Sequence, residues 1–507
     1  MNISQVLTMI AQKFPARTAL ICGDERRTYK DFDLRVNQLA YGLLRLGLKK
    51  GDKVAVLFYN SIPFVEAYFA AIKAGGVFVP VNFRFVGEEA AYILNNSDSR
   101  FFFFGDEFSG LVQTIRSTLP RVEFLITTGM PPDSKTGKYE DLLKGSPDSE
   151  PPVLLSEDDD CQIMYTSGTT GRPKGAVITH RNVLWNLFNT ILGREEKEGE
   201  ISLVVGPLYH TAALNNHFTL RVALGGTSIL VKEFDARQIL EMISRERVTV
   251  ISGAPAMFHF LLNLPDKEKY DTRSVTKCTT GASILPDETK EKLFRFFPNI
   301  QGIYDVYGCT ECSPNICILK AKDSLRKKES VGPPLPFLEV KIVDDQDQPV
   351  PVNVVGELTC RGPNVMKGYY KDPEGTAEAL RGGWLHTGDL ARLDEEGFVY
   401  IVDRKKDMII SGGENIYPRE LEEVLYRHPQ IQDAAVVGIP DPLWGESVRA
   451  FVVLRKGAVL RAEEVVEYCK THLASYKKPR SVVFVGSLPR NPSGKVLKNV
   501  LRTQENK

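Results

Sequence analysis

The chain has no apolar run approaching the roughly 20 residues needed to span a bilayer. Its barest stretch, Phe101 to Phe104, suits a short buried strand. Net charge is also absent: Lys plus Arg and Asp plus Glu are 64 each. No overall field exists to recruit nucleic acid or an anionic membrane, and neither is expected as a partner. The first residues lack the basic start and apolar centre of a secretory leader. They read as an amphipathic helix carrying Val6, Leu7, Ile10 and Phe14. Cysteine is sparse, with eight in 507 residues, so no disulfide framework is expected, and a reducing cytoplasm fits. Cys309 and Cys312 stand at metal or redox spacing, with Cys317 following. A structural zinc site takes four ligands and no second pair lies at matching distance. Packing thiols around a functional Thr310-Glu311 are therefore the expectation. Internal repeats, low-complexity tracts and a Ser-His-Asp arrangement are all missing.

What is present is an alternation of helix and strand. At this length more than one domain is expected. Helical periodicity over 29–46 leads to a buried strand at 53–58. A helix then ends at Gly75-Gly76, followed by a strand over 77–81. The pattern recurs at 201–205, 227–231 and 248–252, predicting parallel sheets with helical crossovers. From about residue 331 to 403, Gly, Pro and short strands predict a small β subdomain. Beyond 406 the order helix, two strands, helix, strand predicts a compact α+β unit. The expected architecture is α/β: a large N-terminal domain of doubly wound parallel sheets (1–405) with the β subdomain, then a mobile α+β C-terminal domain (406–507).

The strongest motif is Tyr165-Thr-Ser-Gly-Thr-Thr-Gly-Arg-Pro-Lys-Gly175. Thr166, Ser167, Gly168, Thr169, Thr170 and Gly171 crowd hydroxyl and amide donors into six positions, and Lys174 adds a cation. Such a loop suits phosphate. A Walker loop would need Lys followed directly by Ser or Thr, whereas here Lys174 precedes Gly175. Further along stand Gly281-Ala282-Ser283-Ile-Leu285, Asp305-Val-Tyr307-Gly-Cys-Thr310-Glu311, Thr387-Gly-Asp389, Asp403-Arg404, Lys406-Asp407, Ser411-Gly412-Gly413-Glu-Asn415 and Pro492-Ser-Gly-Lys495. Taken singly each is ordinary: Asp389 could merely form a turn, and Lys495 could be a solvated lysine.

Together, in this order, they resemble the adenylate-forming superfamily, which comprises acyl-CoA synthetases, adenylation domains of peptide synthetases and beetle luciferases. The resemblance covers essentially the whole chain. It implies that ATP and Mg²⁺ bind at the phosphate loop, with Thr166 and Glu311 holding the metal. Gly281, Ala282 and Ser283 would line the adenine and the acyl group, Tyr307 would stack on the adenine, and Asp305 would join the nucleotide-binding residues. Thr310 would bond the α-phosphate. Asp389 and Arg404 would hold the ribose, since a carboxylate can accept from both hydroxyls. Lys406 occupies the hinge position, Gly412 and Gly413 the turn facing the thiol, and Lys495 the position of the lysine that drives adenylation. His210, in Pro207-Leu-Tyr-His-Thr-Ala-Ala213, is either a gate of the acyl pocket or a structural histidine.

The implied activity is ligation of a carboxylic acid to a thiol through an acyl-adenylate. Coenzyme A is favoured because no carrier domain follows Lys495, and because Trp444, Tyr476, Lys477 and Lys478 resemble nucleotide-contacting positions of chlorobenzoate-type ligases. The acid is a fatty, aryl or cyclic one. Pocket candidates are His210, Thr211, Asn215, Ala254, Thr280, Gly281, Val306 and Ile316. By this resemblance no Arg or Lys among them would meet a second carboxylate, and Val306 would shorten the pocket. Alternatives are an adenylation protein loading a carrier, a luciferase-like oxygenase, and a non-catalytic nucleotide-binding module. A cytoplasmic monomer or homodimer acting on a small molecule is expected.

Overall fold

The computed structural model describes residues 1–166, 172–281, 285–411, 414–490 and 495–504. The chain divides into two compact units. One comprises Met1–Val340 and Cys360–Leu385, the other Lys341–Thr359 and His386–Lys507.

In the first unit, the run of four phenylalanines becomes the strand Ser99–Phe104, paired in parallel with Lys53–Leu57 and Phe124–Thr127. Lys53–Leu57 also pairs in parallel with Val77–Pro80. A second sheet is parallel through Thr227–Leu230, Ile201–Val204, Val250–Gly253, Lys277–Gly281 and Gly302–Gly308. Helices Ile3–Lys13, Tyr29–Arg45 and Ile62–Lys73 share one core with side chains from both sheets. Ile62–Lys73 is buried all round except at Pro63, as a sandwiched helix must be. Its two charges are paired: Glu66 with Arg35 at 2.7 Å and Lys73 with Asp33 at 2.7 Å. Separate cores cover each sheet's other face.

The second unit carries most of the short strands expected over 331–403, which the sequence reading places with residues 1–405. Its four-stranded sheet has the order Glu339–Val343, Gly356–Arg361, Leu385–Leu393, Val399–Arg404. The α+β part pairs Ile431–Asp441 with Gly445–Leu454, which takes Ser481–Phe484 in parallel. Helices Pro418–Tyr426 and Ala462–His472 pack on it.

Three local features depart from the sequence reading. The strand expected at 248–252 begins at Val250, because Arg247 caps the preceding helix in a left-handed conformation (φ 56°) and Val248 N bonds back to Ile243 O. An antiparallel hairpin, Thr18–Cys22 with Glu25–Thr28, extends the second sheet. Residues Ala212–Thr219 form a π-helix, a rare form that tends to mark functional ground.

Candidate active site

Within the first unit, the phosphate loop is closed by an antiparallel hairpin of Asp160–Thr166 and Lys174–Thr179, with Thr166 directly opposite Lys174. Ser167, Gly168, Thr169, Thr170 and Gly171 lie outside the described residues, as do Ala282 and Ser283. Gly175 is required by packing: a Cβ there would lie 2.7 Å from Ile163 Cγ2 and 3.0 Å from Tyr165 Cζ. Tyr165 in turn donates to Asn96 Oδ1 at 2.6 Å, anchoring the strand that leads into the loop. Lys174 Nζ pairs with Asp372 at 2.9 Å and lies over the Tyr369 ring.

The nucleotide motif follows the strand Gly302–Gly308. A Cβ on Gly308 would strike the Pro314 carbonyl, so the chain can fold back closely only with glycine there. Thr310–Cys312 forms a single 3₁₀ turn. Asn364 Nδ2 clamps it by donating to the carbonyls of Cys312 and Asn315 at 2.8 and 2.9 Å. Glu311 accepts from the Tyr369 hydroxyl. The Cys312 and Cys360 thiols touch at 3.2 Å and are buried. Among the described residues no group of three or more His, Cys, Asp and Glu could hold a metal ion.

Pairing in parallel register sets Gly281 beside Val306 at the carboxyl ends of their strands, where open α/β sheets bind ligands. Asp305 is buried and committed on one side. Its Oδ2 lies 2.8 Å from Lys290 Nζ, its Oδ1 has no partner, and burial raises its pKa. Tyr307, half-buried, stands opposite Cys317 across the antiparallel edge strand. His210 packs its ring 4.4 Å from that of Tyr209 and opens the way into the π-helix, its carbonyl accepting from Leu214 N. Of the other acyl-pocket candidates, Asn215 exchanges amide hydrogen bonds with Gln162 at 2.9 and 3.2 Å. Thr211 and Thr280 carry buried hydroxyls without partners, Ile316 is fully buried and Ala254 is exposed.

In the second unit, Thr387 Oγ1 donates to Leu358 O at 2.7 Å, and Gly388 N donates to Glu357 Oε1 at 3.2 Å. These bonds fix the turn that presents Asp389, which faces Arg404 in register. Lys406 sits in the 3₁₀ turn Lys405–Asp407, held by Arg502 through Asp407 at 2.9 Å. Gly412 and Gly413 lie outside the described residues; Ser411 pairs antiparallel with Glu414. Trp444 and Tyr476 are exposed, and the Arg480 guanidinium lies 4.4 Å from the Trp444 ring centroid. Lys477 is engaged by Glu420 at 2.7 Å, and Lys478 by the Ser475 carbonyl at 2.9 Å. Lys495 is exposed; residues 491–494 before it lie outside the described residues, and Arg490 bridges antiparallel to Val496.

Two residues that the sequence reading passed over touch the first unit's cluster: Tyr369 and Asp372. Asp372-Pro373 reads as a helix start, and Asp372 does cap Pro373–Ala379. Nothing in the sequence signals its second bond to Lys174.

The chain is similar to known proteins along nearly its whole length. The family profile described as AMP-binding enzyme matches residues 7–370, and that of the AMP-binding enzyme C-terminal domain matches 420–495. A feruloyl-CoA synthase of Amycolatopsis sp. is 39% identical over 495 residues, covering 97% of this chain and 96% of the relative. A long-chain-fatty-acid–CoA ligase of Mycobacterium tuberculosis is 35% identical, covering 99% and 98%. The o-succinylbenzoate coenzyme A synthetase of Bacillus subtilis, solved in complex with ATP and magnesium ion, superposes with a TM-score of 0.85. It is 32% identical, covering 97% of this chain and 98% of the other.

Proposed function

From the premise that the chain belongs to the AMP-binding enzyme family, we propose that it is an ATP-dependent acyl-CoA ligase. A carboxylate oxygen attacks the α-phosphorus of ATP, the bond to the bridging oxygen breaks, and pyrophosphate leaves. The thiol of coenzyme A then attacks the acyl carbon, loses its proton and expels AMP.

The observation that carries this reading is the pairing of Thr166 with Lys174 at the two ends of the hydroxyl-rich loop, in the same unit as the Thr310–Glu311 turn. A carboxylate and a triphosphate repel each other, so the site must supply cations and oriented donors before they can meet. Lys174 and the loop donors receive the leaving pyrophosphate. Thr310 bonds the α-phosphate. Lys495 supplies the ammonium group that balances carboxylate and α-phosphate together during adenylation. Asp389 and Arg404 hold the ribose. Gly281 and Tyr307 flank the adenine, and the partnerless Oδ1 of Asp305 suits an exocyclic amine.

Glu311 and Thr166 provide a carboxylate and a hydroxyl. That hard oxygen set fits Mg²⁺, which takes few protein ligands and completes its shell with phosphate and water oxygens. When bound, the ion neutralises charge along the triphosphate.

For the acid, the feruloyl- and long-chain-fatty-acid-activating relatives support an aryl or fatty carboxylate. The apolar and hydroxyl-bearing candidates Thr211, Thr280, Val306 and Ile316 suit such groups. For coenzyme A, Trp444 and Tyr476 offer ring faces and Lys478 a cation. The reaction is assigned to the cytoplasm, in a monomer or homodimer. The test is a panel of aryl and fatty acids assayed for AMP release with and without coenzyme A. Release that requires both acid and coenzyme A supports the ligase, and absence of acid-dependent AMP release across the panel refutes it.

A further inference from the structure

A five-residue segment of the first unit touches both halves of the nucleotide cluster. Gly368 and Tyr369 pair antiparallel with Val177 and Ala176 of the phosphate-loop hairpin. Just before them, Met366 N donates to the carbonyl of Glu311 at 2.7 Å. The Tyr369 hydroxyl donates to Glu311 Oε1 at 2.8 Å, and the same ring lies 5.1 Å from Lys174 Nζ. Asp372 Oδ2 holds Lys174 at 2.9 Å, while its Oδ1 accepts from Gly375 N at 2.8 Å.

A lysine is a point charge on a flexible four-carbon stem, and a glutamate carboxylate rotates freely unless something holds it. Here one segment fixes both. We infer that Tyr369 and Asp372 are positioning residues for ATP, a strap that holds Glu311 and Lys174 in a set relation before the nucleotide arrives. The inference rests on the proposed roles of Glu311 and Lys174.

The strap has an electrostatic consequence. The hydrogen bond from Lys174 keeps the Asp372 carboxyl below its usual range, so Asp372 is a carboxylate at neutral pH. Asp372 therefore orients Lys174 but also repels the triphosphate. Removing its charge should tighten ATP binding and slow turnover together, whereas a residue that merely props up the fold would weaken both when lost. Asn caps helices as well as Asp does, so Asp372→Asn separates the ion pair from the cap. Tyr369→Phe keeps the ring under Lys174 and removes only the donor to Glu311.

The experiment is calorimetric titration of the full chain with ATP, with and without Mg²⁺, alongside acid-dependent pyrophosphate–ATP exchange. For Asp372→Asn the expected result is metal-free ATP binding about threefold tighter or more, with exchange about tenfold slower. For Tyr369→Phe, metal-free binding should be unchanged and Mg²⁺–ATP binding about tenfold weaker. Asp372→Ser, which also caps, should repeat the Asn result, and melting temperatures show that each variant is folded. Weaker ATP binding or unaltered exchange in the Asn and Ser variants would overturn the inference. So would a Tyr369→Phe loss that is equal with and without metal. Lys174→Ala and Glu311→Ala serve as the reference. If these two leave binding and exchange intact, the assigned roles of Glu311 and Lys174 fail. If they impair both while the strap variants behave as wild type, only the strap fails.

Discussion

Arg404 Nε lies 2.6 Å from Asp389 Oδ1, the two residues facing each other in register across an antiparallel pair. Asp389 is almost fully buried, and its turn is fixed by Thr387 and Gly388. A carboxylate so placed keeps an oriented acceptor and an adjacent cation in one site. Asp389→Asn should therefore raise the KM for ATP by about tenfold or more, the scale of a lost charge-assisted hydrogen bond. Arg404→Lys should not preserve wild-type KM, because a point ammonium cannot reproduce the guanidinium fork. Steady-state kinetics in ATP check both.

Lys495→Ala should slow adenylation by about a hundredfold or more, the typical effect of removing one preorganised electrostatic group. Thioester formation from pre-formed acyl-adenylate should be little changed. Separate assays of the two half-reactions distinguish this from a general loss.

Lys406→Pro is expected to act in the opposite sense. A proline at Lys406 fixes φ in the turn Lys405–Asp407. If this position is the hinge, thioester formation slows while adenylation survives. Equal losses in both half-reactions would remove Lys406 from that role.

Val306 ends its parallel strand beside Gly281 and is half-buried. Val306→Gly should shift the preference toward longer or bulkier acids by about 10- to 200-fold in kcat/KM ratio, the range for a change of methylene size in an apolar pocket. Competition between short and long members of one acid series measures it.

His180 is buried, accepts from Ile3 N through Nδ1 at 3.3 Å, and has its pKa lowered to about 4 by burial. Lys50 and the chain's amino terminus add to that lowering, while Asp159 and Asp160 oppose it. Unfolded, it titrates near 6.5, so between about pH 6.5 and pH 4 the unfolded chain takes up a proton that the folded one refuses. Stability falls as pH falls through that window, by about 2 kcal/mol at pH 5 from this group. His180→Gln should flatten the decline of melting temperature between pH 7 and pH 5.

Much of this architecture could be read from period and punctuation. The four phenylalanines at 101–104 gave a buried strand because burial on both faces removes alternation. Helix Tyr29–Arg45 carried its own apolar stripe and cap. The hairpin at 18–28 was hidden because Glu25-Arg-Arg-Thr28 has no apolar alternation, its pairing being set by the neighbouring strand. The π-helix at 212–219 differs from an α-helix in closing its hydrogen bonds one residue further along, and an apolar pattern that short does not resolve the two. In the site, Lys174 and Glu311 stood within recognisable motifs. Tyr369 and Asp372 did not, because their roles come from contacts across about 60 and 200 residues of chain, made when the strand Gly368–Tyr369 adds to the hairpin.

The most direct test is product analysis with purified protein, an aryl or fatty acid, ATP, Mg²⁺ and coenzyme A. The expected result is acyl-CoA and AMP formed in equal amounts. Omitting coenzyme A should leave acid-dependent exchange of pyrophosphate into ATP intact. Formation of ADP in place of AMP, or exchange that ignores the acid, would contradict acyl transfer through an adenylate.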